Sequence, residues 1–281
     1  MKLLKGILFS VLMGMVCLFS FSSLLQAAEG EYLTAIAGCK GCHTKEEGAT
    51  PFAGGHALKT PFGVFYTPNI TPDEENGIGN WTEDQFVQAV KHGIRPDGSY
   101  YFPSFPYPSY AKMTDEDAKK IFGFLKTVAP SDIANKEHEI SAPFSWRWLQ
   151  AFWRVLFFDD TPIDPEERGK YLTHALGHCS ECHTPRNQMG GFIQDRFMAG
   201  SLKSEPAGKV PNITPHADGI GEWSRGDLIS FFESGMKPNF DDVQGEMGIV
   251  ISQGTSRLSL EDRAAMADYL LSLPAIATPK D

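Results

Sequence analysis

Cys39-Lys40-Gly41-Cys42-His43 returns 140 residues later as Cys179-Ser180-Glu181-Cys182-His183. Cys-x-x-Cys-His is the pattern of covalent c-type haem attachment: two thiols take the vinyl groups as thioethers and the adjacent histidine is set beneath the iron. Two covalently bound haem c groups are therefore expected, anchored by Cys39, Cys42, Cys179 and Cys182, with His43 and His183 as proximal ligands. A zinc site built from the same residues is the competing reading. It fits poorly, because structural zinc ligands come in closer pairs and do not need histidine directly after each second cysteine.

The rest of the sequence agrees with two copies of one unit. Tyr32-Leu33 precedes the first motif and Tyr171-Leu172 the second. Pro68-Asn69-Ile70-Thr71-Pro72 is echoed by Pro211-Asn212-Ile213-Thr214-Pro215, and Gly77-Ile78-Gly79-Asn80-Trp81 by Gly219-Ile220-Gly221-Glu222-Trp223. Landmarks that keep nearly one offset indicate duplication, with a period of domain size. In each copy an apolar helical stripe leads into the motif. Thr82-Glu83-Asp84 and Ser224-Arg225-Gly226-Asp227 then cap helices over 85–91 and 228–233 that stop at Gly93 and Gly235. Closing helices begin at Thr114 and Ser259. Strand signals are few, so an all-α architecture is expected.

Lys2 and Lys5 precede an apolar run from Ile7 to Leu25 and the small residues Ala27 and Ala28. Residues 1–28 read as a secretory signal peptide; an uncleaved anchor is the alternative. Cys17 falls inside that run, which leaves four cysteines, all in the two motifs, and none for a structural disulfide. The remaining boundaries are 29–128 for the first domain, 129–167 for a linker and 168–281 for the second domain. A net charge of −10 argues against nucleic acid as a partner and suits steering towards a basic protein surface. The linker turns aromatic from Phe144 to Phe158. Trp146, Leu149, Trp153 and Leu156 share one helical face, expected to be buried between the domains, with docking to a redox partner or a membrane edge as the alternative.

Each iron needs or lacks a sixth ligand. Met247, in Gly245-Glu246-Met247-Gly248, is the candidate of the second unit, ahead of Met189, Met198, Met236 and Met266. Met113 is the only methionine between Cys42 and the linker, and so the default for the first unit. Its place just before a helix cap would equally suit a hydrophobic staple, and His56, His92 and His138 are alternatives. Phe102, Phe105, Tyr107 and Tyr110 are expected to cover the ring and exclude water. An open first iron would allow a dihaem oxidoreductase, peroxidase-like or thiosulfate-oxidising, but no acid–base pair is evident.

These motifs, with Phe105-Pro106-Tyr107-Pro108-Ser109-Tyr110-Ala111-Lys112-Met113, resemble the cytochrome c subunits of bacterial membrane-bound gluconate, alcohol and fructose dehydrogenases. The resemblance implies tandem class I cytochrome c-like domains in the periplasm of a Gram-negative bacterium. It implies electrons arriving from a dehydrogenase and leaving for a respiratory acceptor, with peripheral membrane association an open alternative. Those subunits usually carry three haem domains where this chain has two, and commonly a methionine where this chain has Phe105.

Overall fold

The computed structural model describes residues 26–46, 48–204 and 208–279. The expected signal peptide lies largely outside the described residues. Among the described residues, no helix is long and apolar enough to cross a membrane.

The two copies follow one plan. A helix over 26–36 (α1) delivers the short α2, Cys39–Cys42; Arg168–Tyr171 (α7), continued by a π-helical turn over 172–176, delivers Ser180–His183 (α8). The middle helices are Glu83–His92 (α3) and Arg225–Ser234 (α9). Thr82 and Ser224 cap them with complete capping boxes, and Gly93 and Gly235 end them in the left-handed conformation, φ 60° and 77°. Short helices Tyr107–Tyr110 (α4) and Gly245–Gln253 (α10) precede the closing helices Asp115–Leu125 (α5) and Leu260–Ser272 (α11). Between the copies lies α6, Gln150–Phe157.

The all-α expectation is wrong. Among the described residues, five short strands stand beside the helices. In the first copy β1 (Ala57–Thr60) and β2 (Gly63–Tyr66) form an antiparallel hairpin, and β3 (Glu139–Ile140), supplied by the bridge between the copies, adds to the edge of β2. In the second copy β4 (Ser201–Ser204) pairs with β5 (Gly208–Val210). These strands of two to four residues are too short to show alternation. The first hairpin turns through Pro61-Phe62, whereas Asn-Gly or Asp-Gly would have marked a two-residue turn.

The leading and closing helices of each copy cross closely because the crossing residue is glycine. A Cβ on Gly30 would stand 2.2 Å from the Lys120 carbonyl oxygen, and one on Gly169 2.0 Å from that of Ala265. Buried apolar side chains of both copies, among them Leu33, Ile121, Met113, Tyr171, Leu172 and Leu270, join in one continuous cluster.

The copies are tied by a reciprocal exchange. Tyr171 Oη donates to Asp117 Oδ2 at 2.6 Å and accepts from the Thr114 amide at 3.1 Å, at the capped start of α5. Tyr32 Oη does the same for α11, donating to Asp262 Oδ2 at 2.6 Å and accepting from the Ser259 amide at 3.0 Å. Each leading helix therefore completes the cap of the other copy's closing helix. Arg168 adds a charge-assisted bond to Asp262, Nε to Oδ1 at 2.7 Å.

The aromatic bridge forms the expected helix with a different buried side. Trp153 packs on Tyr107 and donates through Nε1 to the Met189 carbonyl at 2.9 Å, and Arg154 stacks 4.1 Å over Phe158. Trp146, Trp148, Phe152 and Leu156 remain exposed. The expected stripe of Trp146, Leu149, Trp153 and Leu156 left Arg154 out of account. Its guanidinium instead bonds the His92 carbonyl and covers aromatic rings, turning the helix away from the Trp146–Leu156 stripe.

Candidate functional site

The attachment motifs occupy equivalent turns held by equivalent bonds. His43 Nδ1–H donates to the Pro68 carbonyl at 2.7 Å, and His183 Nδ1–H to the Pro211 carbonyl at 2.8 Å. With Nδ1 committed, Nε2 keeps its lone pair free for a metal. Burial lowers His43 to about 4 and pushes His183 in the same direction, so both imidazoles stay neutral, as a ligand must. The Pro-Asn-Ile-Thr-Pro repeats are thereby explained. Asn69 Oδ1 accepts from the amide and hydroxyl of Thr71 while Nδ2 donates to the carbonyls of Ser131, at 2.8 Å, and Ile133. Asn212 repeats this with Thr214 and the Ile276 carbonyl. The asparagine pins the loop to the chain leaving the closing helix, and the loop's first carbonyl orients the histidine. The sequence showed the repeat without its purpose.

A cavity of about 710 Å³ opens beside the first motif, within the range of roughly 300–1,000 Å³ typical of cofactor sites. Its wall includes Cys39, Cys42 and His43 on one side and Met113, Phe105 and Tyr110 among the residues of the loop that leads to α5. Met113 is fully buried and also belongs to the core cluster. Of the alternatives, only His138 lines the cavity, and its Nδ1 already accepts from the Tyr66 amide at 3.1 Å. Phe102, Phe105 and Tyr110 face the cavity as expected. Tyr107 does not: it is buried against Trp153 and Phe158. A mostly apolar cavity with an oriented histidine, two cysteines and a thioether on its walls fits a haem bonded through sulfur.

In the second copy Met247 lies in the first turn of α10, half-buried, while Met189 and Met236 are exposed and Met198 and Met266 are buried. Burial pushes the thiols up in both motifs, to about 12 for Cys39 and Cys179 and about 11 for Cys42 and Cys182. They are protonated at neutral pH.

The two motifs adjoin: a Cβ on Gly38, just before the first, would stand 3.5 Å from Nε2 of His178, just before the second. Tyr110 Oη donates to the Ala37 carbonyl at 2.5 Å and its ring meets His178 edge-on at 5.4 Å, while Ser109 Oγ donates to Glu181 Oε1 at 2.6 Å. The loop of the first copy thus links the first attachment turn to the second. No sequence signal marked His178, Ser109 or Glu181, because their function lies in contacts between copies.

No family model matches the chain. Among curated proteins, it is 41% identical to a dihaem c-type cytochrome of Cereibacter sphaeroides, over 89% of this chain and 87% of that one. It is 38% identical to the cytochrome c subunit of the quinone alcohol dehydrogenase of Gluconobacter oxydans, covering 90% of this chain and 55% of the relative, and 39% identical to the cytochrome c subunit of gluconate 2-dehydrogenase of Pantoea cypripedii, covering 88% and 59%. The chain therefore spans between half and two thirds of those dehydrogenase subunits and most of the dihaem protein. It belongs to the dihaem c-type cytochrome family, which also takes in the cytochrome c subunits of these dehydrogenases.

Proposed function

We propose that this cytochrome is a periplasmic carrier of single electrons, taking them from a dehydrogenase and passing them to a respiratory acceptor through two covalently attached haems. When bound, each haem supplies a reversible ferric–ferrous couple. Cys39 and Cys42, and Cys179 and Cys182, would hold the two rings, with His43 and His183 as proximal ligands and Met113 and Met247 as sixth ligands. A thioether raises the potential and closes the iron to small molecules. The division into units 29–128 and 168–281 belongs to this reading, with 129–167 strapped across the first.

The observation that carries the proposal is the matched pair of attachment turns. Each has its histidine oriented by a proline carbonyl, and the two turns are bridged by Tyr110 and Ser109, which suits passage of an electron between the rings. The buried thioether of Met113 in the first cavity favours a six-coordinate iron over an open, oxidoreductase-like site. Export with a signal peptide, and peripheral attachment at most, complete the proposal. Potentiometric titration of the purified holoprotein tests it: two one-electron steps are expected, with rapid reduction by a quinone-dependent dehydrogenase. Haems that no dehydrogenase reduces would refute the carrier role.

A further inference from the structure

The bridge between the copies does more than connect them. Through β3, Ser145 and Arg147 it supplies part of the wall of the first cavity. Two guanidiniums meet on that wall from separate stretches of chain, Arg95 from the turn after α3 and Arg147 from the bridge. Arg147 Nη1 donates to the Tyr100 carbonyl at 2.9 Å and its guanidinium lies 4.5 Å over Phe102. Arg95 lies 5.8 Å over Tyr101, and Asp97 approaches it only to 3.6 Å. The two cations are close enough that each bears on His138 and that Arg95, after burial, helps hold Arg147 below its ordinary value.

Asp97, the carboxylate that bears on both guanidiniums, matches only one of the two positive charges. Lys136, the third cation on the wall, is spoken for by Glu139 at 3.0 Å, and Glu137 is the only carboxylate among the residues lining the cavity. Two half-buried guanidiniums turned towards an apolar cavity are costly unless an anion enters it. Arginine's planar fork is suited to a carboxylate. The second copy differs. The residue equivalent to Arg95 is Lys237, already paired with Asp241 at 2.9 Å.

We propose that Arg95 and Arg147 bind a propionate carboxylate of the first haem, and that this neutralisation makes the first haem the higher-potential centre of the pair. The inference rests on the dihaem reading. A propionate left without a cation favours the ferric iron. A paired one removes that bias, so the ferrous state gains.

The test is potentiometric titration of the full holoprotein with Arg147→Gln, Arg95→Gln, Arg147→Lys and Lys237→Gln. R147Q and R95Q should each lower the higher midpoint and leave the lower in place, by about tenfold in the reduction equilibrium, which is about 59 mV for one electron; a fall of the lower midpoint instead would overturn the assignment. R147K should hold the wild-type midpoint, and K237Q should move neither. If Arg147 only fastened the bridge to Tyr100, R147Q would lower the unfolding temperature and leave both midpoints unchanged, which would overturn the proposal. R95Q leaves the bridge contact intact and decides the matter if R147Q fails to accumulate. Two haems with immobile midpoints would sink this inference alone; absence of haem in the wild type would sink the dihaem reading itself.

Discussion

Tyr171→Phe deletes one oxygen from the seam between the copies, and the structure says what that costs. The Asp117 carboxylate loses a 2.6 Å donor from the partner copy, and the Thr114 amide loses its acceptor at 3.1 Å. A hydrogen bond to a charged group contributes roughly 1.5–3 kcal/mol. The Asp117 side chain is 15% exposed, and the cation paired with it, Lys120, stands at 3.6 Å and is shared with Glu29 and Glu116. The expected loss is about 2–3 kcal/mol, or a fall of roughly 5–10 °C in unfolding temperature for a chain of this size. Tyr32→Phe makes the same deletion at α11, where Arg168 still binds Asp262. It should cost only about 1 kcal/mol. Urea unfolding of the holoprotein, followed by tryptophan fluorescence with the slope required to stay constant, measures both. A Y171F cost below about 0.5 kcal/mol, or a Y32F cost as large as that of Y171F, would refute the account of the exchanged caps.

Three further outcomes are expected. Gly169→Ala should destabilise by about 2–3 kcal/mol through overpacking, since its methyl would meet the Ala265 carbonyl. Gly123→Ala, mid-helix with nothing within 4 Å, should be neutral or stabilise by up to about 1 kcal/mol in the same urea assay. Met113→Ala and Met247→Ala should each open one iron, so that each reduced variant binds one carbon monoxide while the reduced wild type binds none in difference spectra. Burial lowers His174 to about 4, and its Nε2 contacts Tyr269 Oη at 2.5 Å. Because the native state keeps it neutral while the unfolded chain protonates near pH 6.5, stability should fall as pH drops from about 6.5 towards 4, by up to about 1.4 kcal/mol per pH unit. Urea midpoints at pH 7 and 5 should show that slope, and His174→Gln should lose this component.

What was legible in the sequence was whatever local chemistry encodes. The attachment motifs, Thr82 and Ser224 as caps, Gly93 and Gly235 as stops, and the repeat itself could all be read without coordinates. The sheets could not, because pairing of strands as short as β3 depends on what the chain meets after folding and not on a local pattern. The buried side of α6 was misread for a related reason: a stripe drawn through Trp146, Leu149, Trp153 and Leu156 takes no account of Arg154, whereas a guanidinium with a carbonyl and three aromatic rings to meet goes inward. Pro68 and Pro211 stood out as repeated, but a carbonyl acceptor carries no side-chain signature. Arg147 was hidden because it lies in the bridge, some hundred residues from the cysteines whose cavity it lines.

Sulfur-bonded haem at both motifs is the centre of the account, and the intact mass of the denatured, exported protein tests it most directly. The account predicts the mass of the processed chain plus two haems, falling by one haem when either cysteine pair, Cys39 and Cys42 or Cys179 and Cys182, is replaced by alanine. A wild-type mass equal to that of the bare polypeptide would contradict it.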